Sequence, residues 1–136
     1  MVKKVLLVIL LATHLVIFFL SGLDGQQIGG WLTVPDYLAH YLEYSFLSVL
    51  WFLYLNYGRK GKRKRLYLYP ILLTILYGLT DEIHQLYVPG RVFSLTDLLA
   101  DFCGAITGVL AGSLLVLLLP LLGGPDQDSN TNGNQD

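Results

Sequence analysis

Between Thr80 and Gly112 the chain reads TDEIHQLYVPGRVFSLTDLLADFCGAITGVLAG, which sets Asp81, Glu82, Asp97 and Asp101, with His84, Gln85 and Arg91, between two strongly apolar segments. A carboxylate within an apolar span costs about 2.5–3.5 kcal/mol unless it faces a protein interior or a wet cavity, so its default reading is a functional site. Asp36, His40 and Glu43 lie upstream in another apolar block. On a helix, Asp97 and Asp101, Asp81 and Gln85, and His40 and Glu43 stand three or four residues apart and share faces. Oxygen ligands so spaced suit Mg²⁺, Ca²⁺ or Mn²⁺, and His40 also admits Zn²⁺. The cofactor expectation is therefore a divalent cation, with His40, Glu43, Asp81, Asp97 and Asp101 as candidate ligands. Protonation of one or two acids relieves the same crowding and sets a neutral general acid beside an ionised base. Glu43, Asp81, Glu82 and Asp101 are the catalytic candidates for that chemistry. Pairing with Arg91 and with helix N-terminal amides is a third relief, and His40, Gln85, Arg91 and Asp97 are the binding candidates.

Plainer roles compete for some of these residues. Asp97 is the third residue after Ser94 and fits a capping box, Asp36 fits the dipole of a helix first turn, and His84 and His14 read as packing or interfacial side chains. Tyrosines and tryptophans near span ends read as interfacial anchors. Glu43, Asp81, Glu82 and Asp101, with His40, Gln85 and Arg91, have no such explanation as a group. No Gly-x-Ser-x-Gly nucleophile signature is present, so any hydrolysis is water-based or metal-assisted.

The elements that must hold these residues are apolar. The chain has 136 residues, 54% of them hydrophobic, with a mean hydropathy of +0.55, more than a soluble core of this size needs. Four blocks, Val5 to Gly22, Asp36 to Tyr57, Leu66 to Tyr87 and Leu95 to Leu122, approach the roughly 20 residues that cross about 30 Å of hydrocarbon. The expectation is an all-α membrane protein, a four-transmembrane-helix bundle in one domain over residues 1–122, followed by a disordered polar tail over 123–136. The first block follows Lys3 and Lys4 as a signal peptide would, but it exceeds the usual apolar run of about 7–15 residues and reads as a retained helix. The single cysteine, Cys103, has no partner for a disulfide or a cysteine metal site.

Orientation follows from the basic residues. Lys3 and Lys4 precede the first block, Arg59, Lys60, Lys62, Arg63, Lys64 and Arg65 follow the second, and only Arg91 lies elsewhere. Four spans with both termini cytoplasmic put all but Arg91 inside. The acids then gather at the outer ends of the second, third and fourth spans, and a transport pathway lacks charged residues across the inner halves. Helical spacing puts Asp36, His40, Glu43, Tyr44, Leu47 and Trp51 on one face, and Thr74, Tyr77, Gly78, Asp81, His84 and Gln85 on another, with Glu82 off to the side. Asp97, Asp101, Gly104, Ala105, Gly108 and Gly112 form one stripe, whose glycine ladder signals close packing within one chain or between two copies. Pro89-Gly90 marks a tight turn with φ > 0 at the glycine, which hangs Arg91 over the acids. Pro35 suits the first turn of the second span, and the outer loop from Leu23 to Val34, with Gln26 and Gln27, is placed to lid the site.

The run DEIHQLYVPGR, followed by Ser94, Asp97, Asp101 and Gly104 at helical spacing, with His40 and Glu43 upstream, resembles the signature of the VanZ-like family of small bacterial membrane proteins. The resemblance covers about residues 36–112, and Asp101 stands where the family pattern often has asparagine. It implies a multi-pass protein of the bacterial plasma membrane and cell envelope, and a link to teicoplanin-type glycopeptide antibiotic resistance. Three functions remain open: an enzyme acting on a lipid-linked or cell-wall-derived substrate, a non-catalytic protein that binds such a ligand or a partner, and a proton- or cation-coupled transporter. Membrane lipids are expected partners and nucleic acid is not.

Overall fold

The computed structural model describes residues 1–23, 34–58 and 65–122. Gln26 and Gln27 of the expected lid, the basic residues Arg59, Lys60, Lys62, Arg63 and Lys64, and the tail 123–136 lie outside the described residues. Four helices make up the rest: α1 (Val2–Ser21), α2 (Asp36–Asn56), α3 (Arg65–Gln85) and α4 (Leu95–Leu122). There is no strand among the described residues. Each helix falls within three residues of the block that the apolar pattern marks out.

The helices run up and down in alternation. Ser21 at the end of α1 meets Asp81 near the end of α3, and His40 near the start of α2 meets Asp101 near the start of α4. At the opposite end the Lys3 ammonium lies 5.3 Å from the centre of the Tyr54 ring, and the Asn56 side-chain amide donates to the Leu66 carbonyl. One end of the bundle therefore gathers the C-termini of α1 and α3, the N-termini of α2 and α4, and the short hairpin between α3 and α4. Lys3, Lys4 and Arg65 lie at the other end.

Three of the four helices, α1, α3 and α4, are long and apolar enough to cross a bilayer. The 21-residue α2 has the length but less apolarity, because Asp36, His40, Glu43 and Tyr37, Tyr41, Tyr44 and Tyr54 interrupt it. Its neighbours compensate by covering His40 and Tyr44. The apolar surface of the bundle faces outward: Val8, Leu11, Leu15 and Phe19 of α1 and Leu110, Leu114 and Leu117 of α4 are exposed. An exposed apolar surface this extensive belongs against lipid.

Since lipid tails are as apolar as leucine, helices in a bilayer associate through close packing of small residues and interhelical hydrogen bonds. The α2–α4 seam uses both. A Cβ at Gly104 would stand 2.7 Å from the Tyr41 carbonyl oxygen, and one at Gly112 would stand 2.9 Å from the Phe52 ring. At Gly108 a Cβ would collide with the Ser45 carbonyl oxygen. The ladder thus packs inside the chain, against α2. Ser48 Oγ donates to the Ala105 carbonyl at 2.7 Å across the same seam.

Candidate functional site

The hairpin fixes the geometry of the polar end. Arg91 N–H donates to the Val88 carbonyl at 3.1 Å, and Gly90 takes φ +79°, so Val88-Pro89-Gly90-Arg91 is a type II turn that only glycine enters without strain at its third position. The turn aims Arg91 back across the bundle, where its guanidinium donates to Asp36 Oδ2 at 2.8 Å. The arginine side chain is 10% exposed and the aspartate 61%. Asp36 is the first residue of α2, and Pro35 sits just before the helix as its cap rather than inside its first turn. Asp36 thus joins the α2 dipole to Arg91, and Arg91 roofs the polar end from the α2 side.

Beneath that roof His40 is central. Its Nδ1 lies 3.0 Å from Asp101 Oδ1, and its ring stacks on Tyr44 with the planes 5° apart. Asp101 is fully buried because α3 supplies a glycine opposite it: a Cβ at Gly78 would stand 2.5 Å from Asp101 Oδ2. An ionised carboxylate only accepts hydrogen bonds, so with Asp101 ionised the shared proton lies on His40 Nδ1, and an imidazole that is then neutral has its lone pair on Nε2. The Gln85 side-chain nitrogen lies 3.4 Å from that Nε2.

The acids divide into two groups around His40. On the hairpin side, Glu82 Oε2 accepts the Ser94 backbone N–H at 2.8 Å, while Ser94 Oγ accepts the Asp97 N–H at 3.2 Å. The capping box expected at Asp97 is therefore only half formed. Glu82 takes the amide that Asp97 would have bound and leaves the Asp97 carboxylate in the cluster. Glu82 is fully buried, not turned aside as the helical wheel of α3 alone suggests, because the start of α4 covers that flank. On the other side, Ser21 Oγ of α1 donates to Asp81 Oδ1 at 2.5 Å, and half-buried Glu43 lines the space between α1 and α2. Asp81 Oδ2, Glu82 Oε1 and Asp101 Oδ2 are buried without a hydrogen-bond partner.

Of the expected ligands His40, Glu43, Asp81, Asp97 and Asp101, the structure brings His40 and Asp97 together with Glu82, a residue outside that set, to within 4.8 Å of one another. No other such group occurs among the described residues. Glu43 and Asp81 fall in the second group because their faces of α2 and α3, respectively, turn toward α1, and Asp101 stands behind His40. His84 stacks on Phe18 with ring centres 4.3 Å apart, and His14 packs edge-on to Tyr77 at 4.4 Å, so both serve packing.

Two cavities open on this arrangement. One of about 340 Å³ lies under the hairpin, lined by Gln85, Arg91, Ser94 and Asp97. The other, about 320 Å³, lies between α1 and α2 and is lined by Ser21, His40, Glu43 and Asp81 with Leu20 and Leu42. Asp36, Gln85 and Arg91 line both. A third, apolar cavity of about 370 Å³ continues along α1 past Val16, Ala12 and Val8, and shares Leu20 and Glu43 with the second. The polar end thus adjoins an apolar groove.

Helical spacing among the acids does not by itself mark Ser21 or Gly78 as site residues. Ser21 is the one hydroxyl at the end of an apolar helix, which is the signal that marks it. Gly78 offers no signal without knowledge of what lies opposite.

The family model described as VanZ/LLP1 matches residues 5–118. No curated protein and no solved structure matches the chain.

Proposed function

The chain belongs to the VanZ/LLP1 family, and from that premise we propose that it is a four-span protein of the bacterial plasma membrane whose acidic end faces outward and binds an amphiphilic, lipid-linked or cell-wall-derived ligand. The observation that carries this reading is a row of three adjoining cavities that share lining residues, from the hairpin, past Arg91 and the buried acids, to the groove along α1. Arg91 suits a phosphate or carboxylate head group because its guanidinium offers a planar donor fork. The groove suits an acyl or polyprenyl tail. Lys3, Lys4 and Arg65 at the far end support cytoplasmic placement of that end under the positive-inside rule. Glu43, Asp81 and Glu82 are the candidate bases if the ligand is also transformed, and His40 Nε2 is held ready to accept a proton by Asp101. In the cell this activity bears on the envelope, and we place it in resistance to teicoplanin-type glycopeptides.

The test is a phenotype read beside protein level. Asp81→Asn, Glu82→Gln and Arg91→Ala each abolish glycopeptide resistance while the protein accumulates normally in the membrane. Full activity in all three ends the proposal. Retention in Glu43→Gln with loss in Arg91→Ala selects binding over acid–base chemistry at that glutamate. The transport reading is weaker, since the buried polar residues away from this end, Ser48 and Thr74, carry no charge.

A further inference from the structure

We propose that His40, Glu82 and Asp97 form a binding site for one divalent transition-metal ion, Zn²⁺ or Mn²⁺, with Asp101 as the residue that orients the histidine. Three helices supply one ligand each, and the three ligand atoms lie within 4.8 Å of one another. An ion at about 2.0–2.2 Å from each ligand in tetrahedral geometry sets the ligand atoms about 3.3–3.6 Å apart, so rotation of the two carboxylates must close a gap of up to about 1.5 Å. One imidazole with carboxylate oxygens suits Zn²⁺ or Mn²⁺.

Two observations beyond the cluster point to a ligand. Glu82 is fully buried, and its Oε1 has no hydrogen-bond partner while Oε2 is fixed by the Ser94 amide. A buried carboxylate oxygen without a donor is costly unless something positive faces it. The second is the relation of Asp101 to His40, Oδ1 to Nδ1 at 3.0 Å. It is the carboxylate–histidine pairing that leaves Nε2 to ligate and fixes the ring's direction. The remaining nearby polar group fits as well: turning the Gln85 amide over would offer its oxygen where its nitrogen now stands, 3.4 Å from His40 Nε2.

Gln85 and Asp97 also line the cavity under the hairpin, so the ion would keep an open position toward Arg91. Such an open position distinguishes a catalytic metal from a structural one. An ion there would polarise a phosphoryl or carbonyl oxygen of a head group held by Arg91, or activate water against it. This deepens the ligand-binding reading, but metal content can be measured without reference to any ligand.

The experiment uses the full chain in lipid nanodiscs, stripped with a chelator and dialysed against ZnCl₂ or MnCl₂, with metal per chain measured by elemental mass spectrometry. The parent protein should hold about one ion per chain. Glu82→Gln and Asp97→Asn should each weaken binding at least tenfold, and Asp101→Asn by about 10–100-fold. His84→Gln, which sits against Phe18 outside the cluster, should bind as the parent does. Circular dichroism and gel filtration confirm folding for each variant, and because Glu82→Gln and Asp97→Asn keep side-chain shape, the test does not depend on His40→Ala. Absence of stoichiometric Zn²⁺ or Mn²⁺ in the parent, or undiminished binding in both Glu82→Gln and Asp97→Asn, overturns the proposal. If metal binding fails while Arg91→Ala still abolishes resistance, the ligand-binding reading survives alone.

Discussion

Gly78→Ala should dislodge Asp101. The new Cβ would stand 2.5 Å from Asp101 Oδ2, 3.1 Å from its Cγ and 3.2 Å from its Cβ, whereas unstrained non-bonded contacts begin near 3.5 Å. The carboxylate must retreat by about 1 Å although the residue is fully buried. Asp101 Oδ1 holds His40 Nδ1 at 3.0 Å, so the retreat stretches that bond beyond useful length. Overpacking costs about 1–3 kcal/mol, and loss of a hydrogen bond to a charged group about 1.5–3 kcal/mol. The better helix propensity of alanine returns about 0.5–1 kcal/mol. The net destabilisation is then roughly 2–5 kcal/mol, measured by reversible unfolding in mixed detergent micelles. In an Asp101→Ala background the nearest atom of residue 101 is its Cβ at 3.2 Å, and the Gly78→Ala penalty should fall below about 1 kcal/mol, as a double-mutant cycle reports. A Gly78→Ala protein as stable as its parent refutes the reasoning. So does a penalty that persists in full without the carboxylate.

Other substitutions test separate parts of the account. Ser21→Ala leaves Asp81 with neither oxygen bonded among the described residues and should cost about 1.5–3 kcal/mol in the same unfolding assay, whereas an unchanged midpoint would show that α1 does not lock onto α3 through this pair. Gly108→Val drives a side chain into the Ser45 backbone and, at 2.7 Å, into Ser48 Cβ, so it should cost more than about 4 kcal/mol and lower the yield of folded protein; normal yield and stability would contradict the α2–α4 seam. Arg91→Ala removes an ion pair whose aspartate is mostly exposed, worth about 0.2–1 kcal/mol, so stability should barely move while retention of an anionic lipid in native mass spectrometry falls at least tenfold. Equal lipid retention would remove Arg91 from the ligand site.

Much of the helix layout was legible because apolar blocks of membrane length are set off by charged or glycine-rich breaks. The faces were legible too: Asp97, Asp101, Gly104, Ala105, Gly108 and Gly112 share one buried stripe on α4, as spacing alone requires. Residues recruited by a neighbour were harder to read. Glu82 lies off the main buried face of α3 and becomes interior only because α4 begins beside it, and its partner is a backbone amide that no side-chain pattern reveals. For the same reason the capping box at Ser94 and Asp97 was only half predictable: the motif is local, but the competing acceptor comes from another helix. The division of the acids into two groups depends on where α1 docks. Its sequence is apolar apart from the N-terminal lysines, Thr13, His14 and Ser21, and of these only Ser21 lies at the end that meets the acids.

The outward placement of the acidic end is most directly tested by thiol labelling at Val92, an exposed residue of the hairpin. In a Cys103→Ser background, Val92→Cys should react with a membrane-impermeant maleimide in intact cells. Reaction only after the membrane is opened would put Arg91 and the buried acids on the cytoplasmic side and contradict the account.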